Sequence, residues 1–329
     1  MMKAIIWTKY GSPDGLQLQE VEKPVPMENE VLIKIRATTV TAGDCEMRTL
    51  TFPFFLGFFI RFYTGLLKPK RVKILGQEFA GEVTDIGKDV TLFKKGDLVF
   101  GPTGGFDFGA YAQYICLPEH GVLAIKPDNI TFEEAAAVPV GGLNALSFIR
   151  KANLQKGKKI LINGAGGSIG TIAIQLAKSL GAEVTAVDST TKLDMLRSIG
   201  ADFVIDYIQE DFTRRGDIYD VIFDIVGKAS YSGCMKSLKE DGVYLLGNLN
   251  LSRSIRMKWT SLRSHKKVTA KTADYAIEDL IYLKELLEEG TLKIVIDRRY
   301  PLEDMAEAHT YVETGKKIGN VVITVNGQS

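Results

Sequence analysis

The residues with the strongest chemical implication are glycines that stand close together in the middle of the chain, Gly164, Gly166, Gly167 and Gly170. Glycine keeps Cβ atoms away from backbone N–H groups, which can then approach a phosphate closely. An acidic residue, Asp188, follows the last glycine by about 20 positions, the separation expected of a carboxylate that binds a ribose. The pattern predicts a dinucleotide site, and the alternative is a glycine-rich turn of another α/β protein.

The elements around these glycines are those that such a site needs. Apolar residues from Ile160 to Ile162 predict a short buried strand, and a helical period of apolar residues starts near Ser168 and stops at Gly181. A second strand from Glu183 to Val187 then leads to the acidic residue. The spacing G-x-x-G-x-x-G differs from the usual G-x-G-x-x-G, but this order of elements places a pyrophosphate at a helix N-terminus.

The end of the second strand leaves the choice of dinucleotide open. The carboxylate of Asp188 would bond the ribose hydroxyls and repel a 2′-phosphate, which favours NAD. Ser189 and Lys192 offer a hydroxyl and a positive charge that could hold this phosphate, which favours NADP. The alternative role of Lys192 is that of a solvated helix lysine.

Composition excludes several classes of function. The chain has 41 Lys and Arg against 40 Asp and Glu in 329 residues, so no long-range field would attract nucleic acid or an anionic membrane. The three cysteines, Cys45, Cys116 and Cys234, predict neither a disulfide framework nor a Cys-x-x-Cys metal site. The first residues lack the apolar run of a signal peptide, so we expect a reducing, cytoplasmic setting.

The pattern of elements changes along the chain and predicts where the domains meet. Residues 1–126 form short alternating strands separated by glycines, which is typical of a compact β-barrel. Residues 127–265 alternate strands with helices, as in a doubly wound parallel sheet. Residues 266–329 end in β structure again, and we expect them to return to the first domain. The expected fold class is therefore α/β.

A segment rich in phenylalanine, from Thr51 to Leu67, has three possible roles. It is shorter than the ~18 apolar residues of a membrane span, and Arg61 interrupts it. It could form a core helix, a hydrophobic lid over a substrate, or a patch on a membrane surface. Aromatic stripes are most often core, so the core helix is favoured and membrane contact is the least favoured of the three.

Several segments, taken together, resemble the medium-chain dehydrogenase/reductase superfamily and specifically its zinc-free quinone oxidoreductase branch, a branch of proteins like the zinc-type alcohol dehydrogenases. They include EVLIKIRATTVTAGD, ILGQEFAGEVTDIGKDVTLFKKGDLVFG, NGAGGSIGTIAIQLAKSLGAEV and PLEDMAEAHTYVETGKKIGNVVITV. The resemblance implies a GroES-like β-barrel catalytic domain over 1–126, a Rossmann NAD(P)-binding domain over 127–265, and a C-terminal segment, 266–329, that returns to the catalytic domain. It also implies a homodimer or homotetramer that uses NAD(P)H, with NADPH marginally favoured.

The sequence departs from the zinc enzymes of this superfamily at two metal-ligating positions. Those enzymes have Cys and His where this chain has Thr41 and Gln77, and neither a hydroxyl nor an amide is a good zinc ligand. Cys45 and Glu78 do not complete a set of three ligands, and Cys45 is expected to be a small buried residue. We therefore expect no zinc and no other metal.

The resemblance and the chemistry together assign residues to the expected site. Thr41, Asp44 and Gln77 are the catalytic candidates, placed to stabilise a developing enolate or hydroquinonate. Arg48 is a weaker candidate whose alternative is a solvated helix position, and Asp44 has helix capping as its alternative. The histidines, including His309, are interpreted as structural or surface residues. The residues expected to bind the cofactor are Asn144, Gly164, Gly166, Gly167, Ser168, Ile169, Gly170, Asp188, Ser189, Lys192, Val226 and Gly247.

The function implied by the resemblance is an NAD(P)H-dependent, zinc-independent hydride transfer to a quinone or an α,β-unsaturated carbonyl. The cofactor carries the hydride chemistry, and without a Lewis acid the oxidation of an ordinary alcohol is disfavoured. The expected partner is a small hydrophobic or planar electrophile, with no nucleic acid. Two alternatives stay open: a zinc-dependent alcohol dehydrogenase, and a non-enzymatic NAD(P)H-binding redox sensor.

Overall fold

The chain divides into two compact units. The computed structural model describes residues 1–52, 54–104, 108–247, 257, 264–270 and 274–325. The first unit comprises Met1–Val140, Tyr275–Gly290 and Ile294–Ser329, and the second comprises Gly141–Asp274 and Thr291–Lys293. No helix among the described residues is long and apolar enough to cross a membrane.

Strands and helices are numbered here along the chain. The strands are β1 (Met2–Trp7), β2 (Leu16–Val21), β3 (Glu30–Thr39), β4 (Glu78–Ile86), β5 (Leu98–Pro102), β6 (Tyr114–Pro118), β7 (Ala124–Ile125), β8 (Lys159–Asn163), β9 (Glu183–Asp188), β10 (Phe203–Asp206), β11 (Tyr219–Asp224), β12 (Leu238–Leu246), β13 (Lys267–Thr269), β14 (Ile296–Pro301) and β15 (Asn320–Thr324). The helices are α1 (Ala42–Thr49), α2 (Phe54–Thr64), α3 (Phe132–Ala136), α4 (Pro139–Ala152), α5 (Ser168–Ser179), α6 (Leu193–Ser198), α7 (Tyr231–Lys236), α8 (Ile277–Glu288) and α9 (Met305–Glu313).

A mainly antiparallel sheet forms the centre of the first unit. Its strands follow the order β14–β15–β3–β4–β5–β7, and β6 pairs with β3. Because side chains alternate along a strand, Val31, Ile33 and Ile35 of β3 share one face, and all three are fully buried. Near the C-terminus, β15 pairs with β3 and places Val322 opposite Thr39. This pairing brings α9, which directly precedes β15 among the helices and strands, into the same unit as α1.

The second unit is a parallel sheet with the strand order β10–β9–β8–β11–β12–β13. In β8 the consecutive residues Ile160, Leu161 and Ile162 are all fully buried, as expected for a parallel strand covered on both faces. Counted from β8, the order is 3-2-1-4-5-6, the doubly wound arrangement of dinucleotide-binding folds. The order reverses between β8 and β11, so the loop after β8 lies at the position where such sheets bind ligands.

The phenylalanine-rich segment forms α2, and only one of its faces belongs to the core. Ile60 is 5% exposed and Thr64 is fully buried, whereas Phe58, Phe59 and Phe62 are 59%, 68% and 69% exposed. The side chains of residues 54–56 lie outside the described set. A helix that packs through one face leaves its other face in solvent, so the favoured interpretation as a core helix is wrong for these three phenylalanines.

Candidate active site and cofactor loop

Helix α1 begins with a capping box that joins two of the predicted catalytic residues. Thr41 is the N-cap residue, and its Oγ1 accepts a hydrogen bond from Asp44 N at 3.1 Å. Asp44 Oδ2 accepts a bond from Thr41 N at 2.9 Å and a second from the Thr41 hydroxyl at 2.7 Å. The Thr-x-x-Asp pattern folds this way because it satisfies N–H groups that the first helical turn leaves without partners. The capping role of Asp44 is therefore present.

Gln77, the third predicted catalytic residue, reaches the same group from the segment before β4. Its Nε2 donates to Thr41 Oγ1 at 2.8 Å. Gly43 leaves room for this amide, because a Cβ atom at that position would stand 2.7 Å from Gln77 Nε2. The structure thus brings Thr41, Asp44 and Gln77 into one hydrogen-bonded group, centred on the Thr41 hydroxyl.

The carboxyl group of Asp44 is removed from solvent. The residue is fully buried, and its Oδ1 has no hydrogen-bond partner among the described residues. Burial raises the pKa of Asp44 to about 6, against the opposing effect of the hydrogen bonds from Thr41. A carboxyl group with a pKa in this range exchanges its proton near neutral pH and can serve as an acid or a base.

Two further side chains, which the sequence analysis did not place in the site, connect Asp44 to Arg48. The buried Tyr111 hydroxyl interacts with the Asp44 carboxyl group and lies 3.2 Å from His309 Nε2. His309 Nδ1 accepts a hydrogen bond from Arg48 Nε at 3.3 Å. Because the arginine can only donate, the ring proton of the neutral His309 is on Nε2 and points to Tyr111. The donors therefore run in one direction, from Arg48 towards Asp44.

His309 and Arg48 are two basic residues that are both buried. Burial and the neighbouring Arg48 charge lower the pKa of His309 to about 3, so the ring is neutral at physiological pH. Arg48 is also fully buried, and its Nη2 lies 2.5 Å from Glu313 Oε1. The buried position of His309 agrees with the structural role expected for it, whereas the solvated position considered for Arg48 is wrong. The sequence contained one signal for these neighbours, a four-residue spacing within a helix. Asp44 and Arg48 have this spacing in α1, and His309 and Glu313 have it in α9.

Glu78 is a further buried carboxyl group, which the sequence analysis considered only as a metal ligand. Its Oε1 accepts a hydrogen bond from the Thr39 hydroxyl, and its Oε2 accepts one from Val140 N at 2.7 Å. Burial raises the pKa of Glu78 to about 7, and the charge of Asp44 acts in the same direction. The first unit therefore holds two carboxyl groups whose pKa values burial raises towards neutral pH.

In the second unit, the glycine turn between β8 and α5 is packed too closely for other residues. A Cβ atom on Gly166 would stand 2.5 Å from Lys192 Cδ, and one on Gly170 would stand 2.5 Å from Ala165 O. The first N–H groups of α5 have no acceptors within the helix. Glycines that admit a close approach, together with the N–H groups at a helix N-terminus, fit the pyrophosphate of a dinucleotide.

The other residues predicted to bind the cofactor at this turn lie in it, at the start of α5 or against it. Gly167 is the N-cap residue of α5, and Ser168 and Ile169 are its first helical residues. Gly164 has a positive φ of 83°, which other residues rarely adopt. The side chain of Val226, which follows β11, occupies the space that a Cβ atom on Gly164 would need.

Two predicted cofactor residues lie elsewhere in the second unit. Gly247 follows β12, and a Cβ atom there would stand 3.0 Å from Ile225 Cα. Asn144 lies in α4 and is partly buried. For both residues the assignment to the cofactor site stays a prediction.

The carboxylate of Asp188 points back to the glycine turn. Its Oδ2 accepts a hydrogen bond from Gly166 N at 2.8 Å, and its Oδ1 accepts one from Ser189 N at 2.8 Å. Lys192 Nζ lies 3.1 Å from Oδ1, and both charged side chains are only 7% exposed. The solvated role considered for Lys192 is therefore wrong, because this lysine is the buried counter-ion of Asp188.

Comparison with known proteins places the chain in a family. Residues 27–127 match the alcohol dehydrogenase GroES-like domain, and residues 199–323 match the zinc-binding dehydrogenase family. The chain is 35% identical over 334 residues to 2-methylene-furan-3-one reductase of Solanum lycopersicum, a match that covers 98% of this chain and 79% of the relative. The chain belongs to the medium-chain dehydrogenase/reductase superfamily, in its quinone oxidoreductase-like branch.

Two further members support this assignment. The NADPH-dependent alkenal/one oxidoreductase, chloroplastic, of Arabidopsis thaliana is 33% identical over 335 residues, which cover 98% of this chain and 79% of that protein. The quinone oxidoreductase from Coxiella burnetii has a similar structure, with a TM-score of 0.89, 30% identity and 99% coverage of each chain. The resemblance and the fold class predicted from the sequence, a GroES-like domain with a Rossmann sheet, are confirmed.

The residues at the metal-ligating positions of the superfamily's zinc enzymes do not fit a zinc ion here. Gln77 Nε2 and Thr41 Oγ1 are bonded to each other, and an amide N–H group is a donor rather than a ligand. Among the residues that the structure describes, no group of three or more His, Cys, Asp and Glu side chains is placed to hold a metal ion.

Proposed function

We propose that this protein is an NAD(P)H-dependent reductase of quinones or α,β-unsaturated carbonyl compounds, and that it works without catalytic zinc. The three relatives named above act on such electrophiles or are named as quinone oxidoreductases. When bound, the nicotinamide cofactor supplies a hydride. The observation that carries the proposal is the Thr41–Asp44–Gln77 group around the buried Asp44 carboxyl, which offers a proton and hydrogen-bond donors at the positions where zinc enzymes offer a metal.

The proton of Asp44 gives this group two states. With Asp44 ionised, the Thr41 hydroxyl donates inward to the carboxylate and accepts from Gln77 and from Asp44 N, the arrangement described above. A protonated Asp44 instead donates to Thr41 Oγ1. Because a hydroxyl oxygen accepts only two hydrogen bonds, the amide of Gln77 is displaced, and the Thr41 proton is free to point outward.

The protonated state suits the second half of the reaction. After hydride addition the substrate is an enolate or a hydroquinonate whose oxygen requires a proton. The Thr41 hydroxyl donates its proton to this oxygen and receives the proton of Asp44, so Asp44 ends as a carboxylate and the substrate as a neutral product. The released amide of Gln77 can hold the same oxygen while its charge develops.

The residues Tyr111, His309 and Arg48 position Asp44 rather than pass protons. A histidine with a pKa of about 3 does not take up a proton at neutral pH, and an arginine does not lose one. Arg48 donates to His309, and His309 donates to Tyr111, whose hydroxyl interacts with the Asp44 carboxyl group, so these residues support the position of Asp44. The proton that restores Asp44 must therefore enter through Thr41.

We further propose NADPH as the preferred cofactor. Lys192 neutralises Asp188, so this carboxylate opposes a 2′-phosphate less than an unpaired one would. The relative from Arabidopsis thaliana is NADPH-dependent. On the resemblance alone, we propose a homodimer or homotetramer whose functional domains are residues 1–126, 127–265 and the returning segment 266–329.

The proposal is tested by initial rates of NADPH and NADH oxidation with an ortho-quinone and with a simple enal, together with a zinc assay of the purified protein. We expect turnover with at least one electrophile, a faster rate with NADPH and no stoichiometric zinc. Tight cofactor binding without turnover of any electrophile would favour the redox sensor. One bound zinc per chain, with alcohol oxidation, would favour the alcohol dehydrogenase.

A further inference from the structure

Helix α2 and the turn after it expose a group of large apolar side chains. Phe58, Phe59 and Phe62 are 59%, 68% and 69% exposed, and Leu66 and Leu67 are 55% and 90% exposed. Single exposed apolar side chains are ordinary, but neighbouring ones on consecutive helical turns form a continuous patch, which marks an interaction site. We call these five residues the apolar tip.

The apolar tip is held in a fixed place by the buried face of the same helix. The Thr64 hydroxyl donates to Ile60 O at 2.9 Å and lies 2.7 Å from the hydroxyl of Tyr10. The carbonyl oxygen of Thr64 then accepts a hydrogen bond from Lys70 N at 2.8 Å, which closes the turn that carries Leu66 and Leu67. The exposed side chains therefore extend from a folded and anchored support.

The charged residues in the segment that carries the apolar tip are all basic. The sequence has no Asp or Glu from Met47 to Gln77, although acidic and basic residues nearly balance in the whole chain. None of the exposed basic residues of this stretch forms an ion pair within the described part of the chain. These residues are Arg61, Lys68, Lys70, Arg71 and Lys73.

We propose that the apolar tip docks on the surface of a membrane that contains anionic phospholipids. Phenylalanine and leucine side chains enter the boundary between headgroups and acyl chains, while lysine and arginine side chains meet the lipid phosphates. The net charge of the chain gives no long-range attraction, but the local basic cluster acts within the roughly 10 Å over which salt leaves charges effective. Membrane contact, the least favoured interpretation of the sequence, thus becomes the favoured one.

Two other occupants fit the surface less well. In a twofold dimer the same patch would face itself, so the basic cluster of one copy would meet that of the other. A lid over a neutral quinone or enone would gain nothing from a surrounding of lysines. The proposal goes beyond the reductase activity and does not depend on it, although a membrane is where an apolar quinone would accumulate.

The first experiment is co-sedimentation of the full chain with vesicles of phosphatidylcholine and phosphatidylserine in a roughly 3:1 ratio. We expect binding that weakens as salt is added. The double variant Phe59→Asp/Phe62→Asp should lower the partition coefficient by on the order of 100-fold, because two phenylalanines no longer leave water. Leu92→Asp is the matched control, since Leu92 is 59% exposed in the same unit, and it should bind as the wild type does.

The second experiment tests the charges separately. Lys68→Glu should lower binding to these vesicles by about tenfold and should not affect binding to pure phosphatidylcholine. Lys94→Glu, at another exposed lysine of the first unit, is the control with the same change of charge and should have little effect. Phe62→Trp keeps an aromatic side chain in the tip, and its fluorescence should shift to the blue when vesicles are added.

Three results would overturn the proposal. The first is that the wild type does not bind the anionic vesicles even at low salt. The second is that Phe59→Asp/Phe62→Asp dissociates an oligomer in a protein that binds no vesicles, which would assign the tip to a contact between copies. The third is that this variant raises the substrate KM in a protein that binds no vesicles, which would assign the tip to the substrate site.

Discussion

Two buried carboxylates, Asp44 in the first unit and Asp188 in the second, are surrounded in opposite ways. Each accepts hydrogen bonds from backbone N–H groups near the start of a helix or turn. Asp188 also has the buried counter-ion Lys192 at 3.1 Å. Asp44 forms no ion pair among the described residues, because the nearby Arg48 directs its charge to His309 and Glu313.

The difference separates a binding role from a chemical role. A buried carboxylate with a cation beside it is held in one position, which suits a loop that must hold a ligand. A buried carboxylate without a cation favours its protonated form, which suits a group that gives and takes a proton. The same residue type thus serves two functions according to one neighbouring charge.

The largest effect on the rate is expected when Asp44 is replaced by a residue that cannot exchange a proton. Asp44→Asn keeps the shape of the side chain and can still cap α1, but it cannot exchange a proton with Thr41. We expect kcat to fall by roughly 100-fold or more, the usual contribution of a general acid, with little change in the dissociation constant of NADPH. Stopped-flow and equilibrium fluorescence measurements would check both quantities.

Glu46→Gln is the matched control for this variant, because it removes a carboxyl group from the same helix without touching Thr41. It should leave kcat within a few-fold of the wild type. If Asp44→Asn retained its rate while remaining folded, the proton would come from solvent, and Asp44 would be a helix cap only.

The second effect concerns stability and pH. The pKa of Asp44 is about 6 in the folded protein against 3.8 in the unfolded chain, so between these values the folded state binds more protons. The free energy of unfolding therefore falls as pH rises from about 4 to 7. Asp44→Asn removes this contribution, and its stability relative to the wild type should rise by on the order of 3 kcal/mol across that range.

Urea unfolding of both proteins at several pH values would check this difference. A direct comparison is needed because His309 acts in the opposite direction: its pKa is lowered to about 3, so its contribution is lost as pH falls below about 6.5. Glu78→Gln should behave like Asp44→Asn, over a range that extends to about pH 7. A constant difference between Asp44→Asn and the wild type would show that Asp44 is ionised throughout.

The third effect concerns the ion pair between Asp188 and Lys192 and the binding of NADPH. Lys192→Ala leaves Asp188 without its counter-ion beside the position proposed for the 2′-phosphate. We expect the KM for NADPH to rise by about tenfold, because the unpaired carboxylate repels that phosphate, while the KM for NADH changes less. The control is Lys178→Ala, which breaks the lysine–aspartate pair with Asp202 in the same unit. Equal changes for both cofactors would mean that Lys192 has only a structural role.

How much the sequence could predict depends on how local each feature is. The strand, glycine turn and helix around Gly164 follow from neighbouring residues, and so does the capping box of Thr41 and Asp44. The group of Tyr111, His309 and Arg48 is different, because these residues are far apart in the chain. They meet only because β15 pairs with β3 and brings α9 to α1, which contact each other in the first unit.

Burial was the property that the sequence left least certain. For Lys192 and Arg48 the sequence allowed an exposed position as readily as a buried one. A long basic side chain is buried only where the fold provides an acidic partner. The partners are Asp188, four residues before Lys192, and Glu313, at the other end of the chain. Likewise the composition of α2 favoured the core, and only the contacts of Ile60 and Thr64 show which face is inside.

The smallest effect is expected when the side-chain amide of Gln77 is moved. This change should lower activity without lowering stability. In Gly43→Ala the new Cβ atom would stand 2.7 Å from Gln77 Nε2, so the amide must leave Thr41. We expect kcat/KM to fall by roughly threefold to tenfold, because one donor to the substrate oxygen is misplaced. Thermal stability should stay equal or rise, because alanine favours a helix over glycine by about 0.5–1 kcal/mol.

Gly57→Ala is the matched control, because this glycine lies in α2 and its Cβ atom would meet only ordinary contacts at 3.6 Å or more. It should gain similar stability without any loss of kcat/KM. If Gly43→Ala gained stability and kept its full kcat/KM, the amide of Gln77 would have no part in catalysis. The substrate oxygen would then depend on Thr41 and Asp44 alone, and the contrast between the two carboxylates would account for the chemistry without the amide.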